Sequence, residues 1–142
     1  MTDLDIRSPS MRENVLRSIS PEDAKQHQLL LRKMFREEIA YRERDEDQEY
    51  FENVYWCAYL LFHVGDPADV ELMWIAKNLN MDVGCGFDVE NMVGAGVEQT
   101  IEYLRQKDLD AAADYLAECF PDHSQQAIEV WSRARQGYFY GA

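Results

Sequence analysis

Residues 50–64 have the sequence YFENVYWCAYLLFHV, and Gly-Asp-Pro follows at 65–67. Apolar side chains recur along this segment at helical spacing and form two adjoining stripes. One stripe consists of Phe51, Tyr55, Ala58 and Phe62. A helix that is apolar over so wide an arc is buried on more than one side. The pattern therefore predicts a helix from about Gln48 to Val64 at the centre of the hydrophobic core.

The three residues that follow this helix combine a stop signal with a start signal. Gly65 can adopt the left-handed conformation that commonly ends a helix. Asp66 is a favourable N-cap, and Pro67 suits the first position of the next helix, which we predict to close at Asn80. Two helices that are joined by so short a turn are expected to pack as an antiparallel pair.

Helix signals also dominate the rest of the chain. Ser20 and Pro21 begin a helix that is predicted to extend to about Arg44. Further helices are predicted from Val97, with Val97, Ile101 and Leu104 inward, from an Asp108 cap, and from a Ser124 cap. Because no segment alternates as a strand does, we predict an all-α fold. It has six to seven short helices in antiparallel pairs, arranged as a HEAT-like α-solenoid or as an irregular helical bundle.

The length and composition indicate one helical domain over residues 1–142, with residues 1–19 as a partly ordered N-terminal segment. The chain is 46% hydrophobic and 12% aromatic, which excludes an intrinsically disordered protein. No apolar run approaches the roughly 20 residues of a membrane span. The N-terminus has no basic segment before an apolar one, so a secretory signal is not expected. We therefore expect a soluble, cytoplasmic protein whose three cysteines are reduced thiols.

The acidic residues are concentrated in one part of the chain. The net charge is −13, and residues 66–122 contribute 13 acidic and only 3 basic side chains. Such a field repels phosphate backbones, so nucleic-acid binding is not expected. It attracts and steers a basic protein partner. The simpler interpretation is that the acidity only keeps the protein soluble.

The stretch MDVGCGFDVENMVGAG at residues 81–96 holds four of the seven glycines. We predict a tightly packed, glycine-bent connection between helices. Gly84 or Gly86, and one of Gly94 and Gly96, should have a positive φ angle or a close backbone neighbour. Asp88 is predicted to cap a short helix with the sequence VENMV.

The same stretch contains the one candidate nucleophile of the chain, Cys85 between two glycines. A catalytic thiol needs an adjacent base, for which His63 or His123 could serve. The alternative is that Cys85 is a small buried apolar residue. No CxxC, HExxH or GK[ST] motif occurs, so neither a metal ion nor a nucleotide or other cofactor is expected.

The carboxylates in and before this stretch are the candidate contacts for a protein partner. They are Asp66, Asp69, Asp82, Asp88 and Glu90. Asp66 and Asp88 have a second role as predicted helix caps. Asp82 and Glu90 have no assigned structural role, and their predicted role is contact with the partner alone.

Residues 64–104, VGDPADVELMWIAKNLNMDVGCGFDVENMVGAGVEQTIEYL, carry a resemblance through the Gly-Asp-Pro turn, the WIAK helix and the DVGCGFD segment. They resemble small acidic helical bacterial proteins, some of which are similar to immunity proteins of polymorphic toxin systems. The resemblance implies a non-catalytic module that binds and neutralises a cognate toxin, itself expected to be basic. Two alternatives are an enzyme that uses Cys85 and a helical scaffold that self-associates through the aromatic tail at residues 138–140, beside Trp131.

Overall fold

The computed structural model describes residues 6–44, 49–122 and 125–141, and all regular secondary structure in these ranges is helical. The α-helices are α1 Pro9–Ser18, α2 Gln28–Arg44, α3 Asn53–Val64, α4 Val70–Lys77, α5 Met81–Gly86, α6 Val97–Gln106, α7 Asp110–Cys119 and α8 Gln125–Tyr140. Three 3₁₀ helices, Pro21–His27, Pro67–Asp69 and Val89–Val93, lie between them. The predicted all-α fold is confirmed, and α1 and α5 are helices that the sequence patterns did not indicate.

Helix α3 lies at the centre of the core, as its composition predicts. Its buried residues include Trp56, Cys57, Tyr59, Leu60 and Leu61. It packs mainly against α2, and also against α1 and two of the 3₁₀ helices. The helix begins at Asn53 instead of Gln48, which is outside the described residues. Residues 49–52 form turns instead.

The turn after α3 has the predicted capping but not the predicted packing. Gly65 has φ 73°, and its N–H donates to the Leu61 carbonyl at 3.1 Å. The Asp66 carboxylate accepts the Ala68 N–H at 3.0 Å. Helix α4, however, packs chiefly against α5 and the 3₁₀ helices, and α3 pairs with α2. The predicted α3–α4 pair is wrong because α1, α2 and Val89–Val93 occupy the wide apolar surface of α3.

Helices α6 and α7 form a close antiparallel hairpin. Asp108 lies in the connection with φ 59°, and the Leu109 N–H donates to the Leu104 carbonyl at 2.8 Å. These contacts close α6. The prediction that Asp108 caps α7 is wrong, because the N-cap position is occupied by Leu109 and no side chain bonds there.

Helix α8 lies across the aromatic surface of α3. Phe139 stacks on Trp56 with ring centroids 5.2 Å apart. The Tyr140 hydroxyl accepts from Trp56 Nε1 at 3.0 Å and donates to the Ile19 carbonyl at 2.6 Å. Of the aromatic tail at residues 138–140, Phe139 and Tyr140 are therefore packed on the fold, and Tyr138 is largely exposed.

A buried ion pair fastens α1 to α2. Arg12 Nε donates to Glu38, and these side chains are 1% and 0% exposed. Arg12 Nη1 also donates to the Ile6 carbonyl at 2.7 Å, and Asn53 Nδ2 donates to Glu38 at 3.1 Å. Within the N-terminal segment 1–19, Pro9–Ser18 thus forms a helix that Arg12 anchors in the core.

In the part of the chain that the structure describes, no helix combines the length and the apolar character that a bilayer span requires.

Candidate protein-binding surface

Two of the predicted contact residues, Asp66 and Asp69, instead hold the start of α4 against α2. Arg32 pairs with Asp69 and lies 3.0 Å from Asp66. Gln28 Nε2 donates to both carboxylates, at 2.8 and 3.2 Å. The hydrogen bond from the Ala68 N–H contributes most to lowering the pKa of Asp66, and Gln28 and Arg32 lower it further. Asp69 is 2% exposed, so its prediction as a partner contact is wrong for a physical reason: it is buried against Arg32.

Asp88 is engaged by α8. Its Oδ2 accepts from Trp131 Nε1 at 2.9 Å and lies 2.7 Å from Arg135 Nη2. The carboxylate makes no capping bond to the 3₁₀ helix Val89–Val93. Asp88 thus occupies the predicted N-cap position before Val89–Val93, but its side chain makes no cap there because it binds the cationic and N–H groups of α8.

Asp82 and Glu90 behave differently from the other three predicted residues. Asp82 is exposed on α5, Glu90 is half-buried, and neither forms an ion pair within the described ranges. Asp82 lies at the rim of a pocket of about 480 Å³ that is also lined by Arg42, Tyr55 and Tyr138. Arg135, the partner of Asp88, lines the same pocket as Asp82, whereas Asp66 and Asp69 lie together beside Arg32.

The cysteine expectations are corrected as well. Cys85 is exposed, whereas Cys57 is the buried thiol, and burial raises the pKa of Cys57 well above its usual value. No hydrogen bond joins Cys85 to a histidine among the described residues. His63 Nε2 instead lies 3.3 Å from Ser132 Oγ, and burial lowers the pKa of His63. His123 is outside the described residues. No cluster that could hold a metal ion occurs within 6–44, 49–122 and 125–141.

The glycine-rich stretch is a packed connection, as predicted. A Cβ atom on Gly94 would lie 2.1 Å from the Phe62 carbonyl oxygen. One on Gly84 would lie 2.8 Å from the Lys77 carbonyl oxygen, and Gly96 has φ 103°. Close backbone approach and positive φ therefore explain why the glycines cluster here.

Further carboxylates that form no ion pair with described residues lie along the chain on α6, α7 and their ends. We call residues 97–122 the acidic hairpin. It contains seven acidic and two basic side chains, a net charge of −5. Arg105 pairs with Asp114 at 2.9 Å and with Asp110 at 3.5 Å. The other carboxylates form no ion pair with the residues that the structure describes: Glu98, Glu102, Asp108, Glu118 and Asp122.

A groove of about 600 Å³ runs between the two helices of the acidic hairpin. Its lining is mainly apolar and comprises Glu98, Ile101, Glu102, Arg105 and Gln106 from α6 and Ala117 from α7. Ile101 was predicted to point inward but is only partly buried, so it also lines the groove. The sequence signal for this surface is two glutamates four residues apart with an isoleucine between them, which place all three on neighbouring positions of one helix face.

Comparison of the chain with protein-family models, with curated proteins and with solved structures found no match.

Proposed function

We propose that the chain is a non-catalytic module that binds a basic protein, and that this partner is a cognate toxin which the chain neutralises as an immunity protein does. One observation carries the proposal: on a preformed pair of helices, five of the seven carboxylates of the acidic hairpin form no ion pair with the described residues. A rigid surface of this kind needs no ordering when a partner binds, which reduces the entropic cost of association.

The charge distribution favours a basic protein over other partners. The acidic hairpin has a net charge of −5 within a chain of net charge −13, so the field around it is negative at neutral pH. Complementary charge steers diffusional encounter and raises association rates. A toxin must be captured before it reaches its target, and fast association serves that purpose directly.

The folded chain gives less support to the two alternatives, the Cys85 enzyme and the self-associating scaffold. A thiol nucleophile requires a base beside it, and Cys85 has no hydrogen bond to a described histidine. Self-association through residues 138–140 requires a free aromatic tail, and Phe139 and Tyr140 are packed on Trp56. Both findings favour the binding module.

The test is a neutralisation experiment with a toxin domain from a gene adjacent to the gene for this chain, and the proposal expects such a gene. The toxin domain is expressed in a bacterial host with and without the chain, and survival is counted. Survival only in the presence of the chain, together with a one-to-one complex on size-exclusion chromatography, is the expected result. Cell death at equal chain levels, or the lack of any adjacent gene with a toxin domain, would overturn the proposal.

A further inference from the structure

The groove of the acidic hairpin has the form of a helix-binding surface. The lining from α6 extends from Glu98 to Gln106, so the groove follows α6, with Ala117 of α7 on its other side. A third helix can place a row of side chains into such a groove and extend the hairpin to three helices. Binding of an amphipathic helix in an apolar groove is a recurring mode of protein recognition.

The base of the groove is apolar and is available for contact. Ile101 and Ala117 face it from the two helices, and each is only partly buried. An apolar side chain from a partner would cover both. Removal of this surface from water would favour binding in proportion to the apolar area that is buried.

Paired and unpaired charges lie at different positions along the groove. At the α7-proximal end of α6, Arg105 is paired with Asp110 and Asp114, so that end is partly neutralised. At the other end, Glu98 and Glu102 form no ion pair with described residues. A bound segment therefore meets uncompensated negative charge at Glu98 and Glu102, in the first two turns of α6.

We infer that the groove binds an amphipathic helix of the basic partner, with an apolar side chain between Ile101 and Ala117 and with lysine or arginine side chains opposite Glu98 and Glu102. The two glutamates are one helical turn apart, and basic residues four apart on the bound helix match that spacing. This inference rests on the proposed function, because it specifies which part of the basic partner is recognised.

Charge also argues against occupants from the chain itself. Residues 1–5 contain two aspartates and no basic residue, so the glutamates would repel them. A second copy of the chain would bring another net charge of −13 to the same surface. The complementary occupant is a cationic helix from a different protein.

The probe is a fluorescein-labelled synthetic peptide of about 18 residues that has leucine on one helical face and lysines four apart beside it, a length that supports helix formation on binding. Its binding to the full chain is followed by fluorescence anisotropy. Replacement of Glu98 and Glu102 by glutamine should weaken binding about tenfold at about 50 mM salt and by less than about twofold at about 500 mM, because salt screens exposed charge. Ile101→Ala and Ala117→Trp should weaken binding at both salt concentrations.

A matched control removes the same charge elsewhere. Glu22→Gln with Glu129→Gln changes two exposed carboxylates outside the groove and should leave the affinity within about twofold. Circular dichroism and the melting temperature establish that each variant is folded. Equal weakening by the control pair, or equal binding of a peptide whose lysines are replaced by glutamates, would overturn the groove assignment. Sedimentation that shows a dimer blocked by Ala117→Trp would also overturn it in favour of a second copy.

The neutralisation experiment separates this inference from the proposed function. If the wild-type chain rescues cells and the Ile101→Ala and Ala117→Trp variants rescue equally well, the groove is wrong and the proposed function stands. If the groove binds the cationic peptide and the wild-type chain does not rescue, the proposed function is wrong and the binding surface stands.

Discussion

Trp131 Nε1 donates a hydrogen bond to Asp88 Oδ2 at 2.9 Å, although 43 residues separate the two. Arg135 contacts the same carboxylate oxygen, so one acidic side chain holds α8 to the segment before Val89–Val93. The Asp88 carboxylate thus binds α8 and holds it against the rest of the fold.

Asp88→Ala should lower the free energy of unfolding by about 1–2 kcal/mol, since it leaves Trp131 and Arg135 without their acceptor in a half-buried position. Urea unfolding measures the change. Asp82→Ala is the matched control: Asp82 is exposed and forms no ion pair among the described residues, and the expected change is within about 0.5 kcal/mol. Equal effects of the two substitutions would contradict a docking role for Asp88.

The buried pair of Arg12 and Glu38 gives a second prediction. Arg12→Met should cost about 3–5 kcal/mol of stability, because it leaves the carboxylate of Glu38 buried without its cation. The double variant Arg12→Met with Glu38→Met should be closer to the wild type than the single variant is, since it removes both desolvated charges. Chemical denaturation of the three proteins gives the comparison, and a double variant that is less stable than Arg12→Met would contradict the prediction.

Gly94 gives a prediction about backbone packing. Gly94→Ala should destabilise the protein by about 1–3 kcal/mol, as overpacking does, because the new Cβ meets the backbone of Phe62. Gly86→Ala should cost less, since its Cβ meets the hydroxyl end of Tyr55, which can move. Thermal melts of both variants test the order, and a larger loss for Gly86→Ala would contradict it.

His63 should make stability depend on pH. Burial lowers its pKa in the folded protein, whereas the unfolded value is about 6.5. Below that pH the unfolded chain binds the proton more readily, so this contribution is complete above about pH 6.5 and is lost as the pH falls toward the folded pKa. Glu22 partly opposes the shift.

The measurement is urea unfolding at about pH 7.5 and about pH 5.5, on either side of the ordinary histidine pKa. The wild type should lose more stability on acidification than His63→Gln, which keeps a polar group near Ser132 but does not titrate. An identical pH dependence of the two proteins would mean that His63 ionises equally easily in both states.

The features of the fold that local chemistry determines were predictable. The apolar arc of α3, the left-handed Gly65 and the Asp66 cap each depend on residues within a few positions along the chain. The pairing of α3 with α2, in contrast, depends on which apolar surfaces compete for α3. A short turn constrains the distance between consecutive helices, but it does not determine which helix packs against α3.

The candidate site could also be predicted only in part. Composition located the negative charge within residues 66–122, and the acidic hairpin lies there. Which carboxylates remain free could not be predicted, because the neutralising cations come from distant segments. Arg32 is 34 and 37 residues from the aspartates it pairs with, and Arg135 is 47 residues from Asp88.

The contacts of Tyr140 constrain when the protein can finish folding. Tyr140 bonds to Ile19 and Trp56 across sequence separations of 121 and 84 residues. During synthesis, the aromatic surface of α3 emerges from the ribosome long before α8 exists to cover it. At roughly 5–20 residues per second, that surface stays exposed for several seconds. The nascent chain therefore keeps this aromatic surface uncovered until α8 has been synthesised and packs on it.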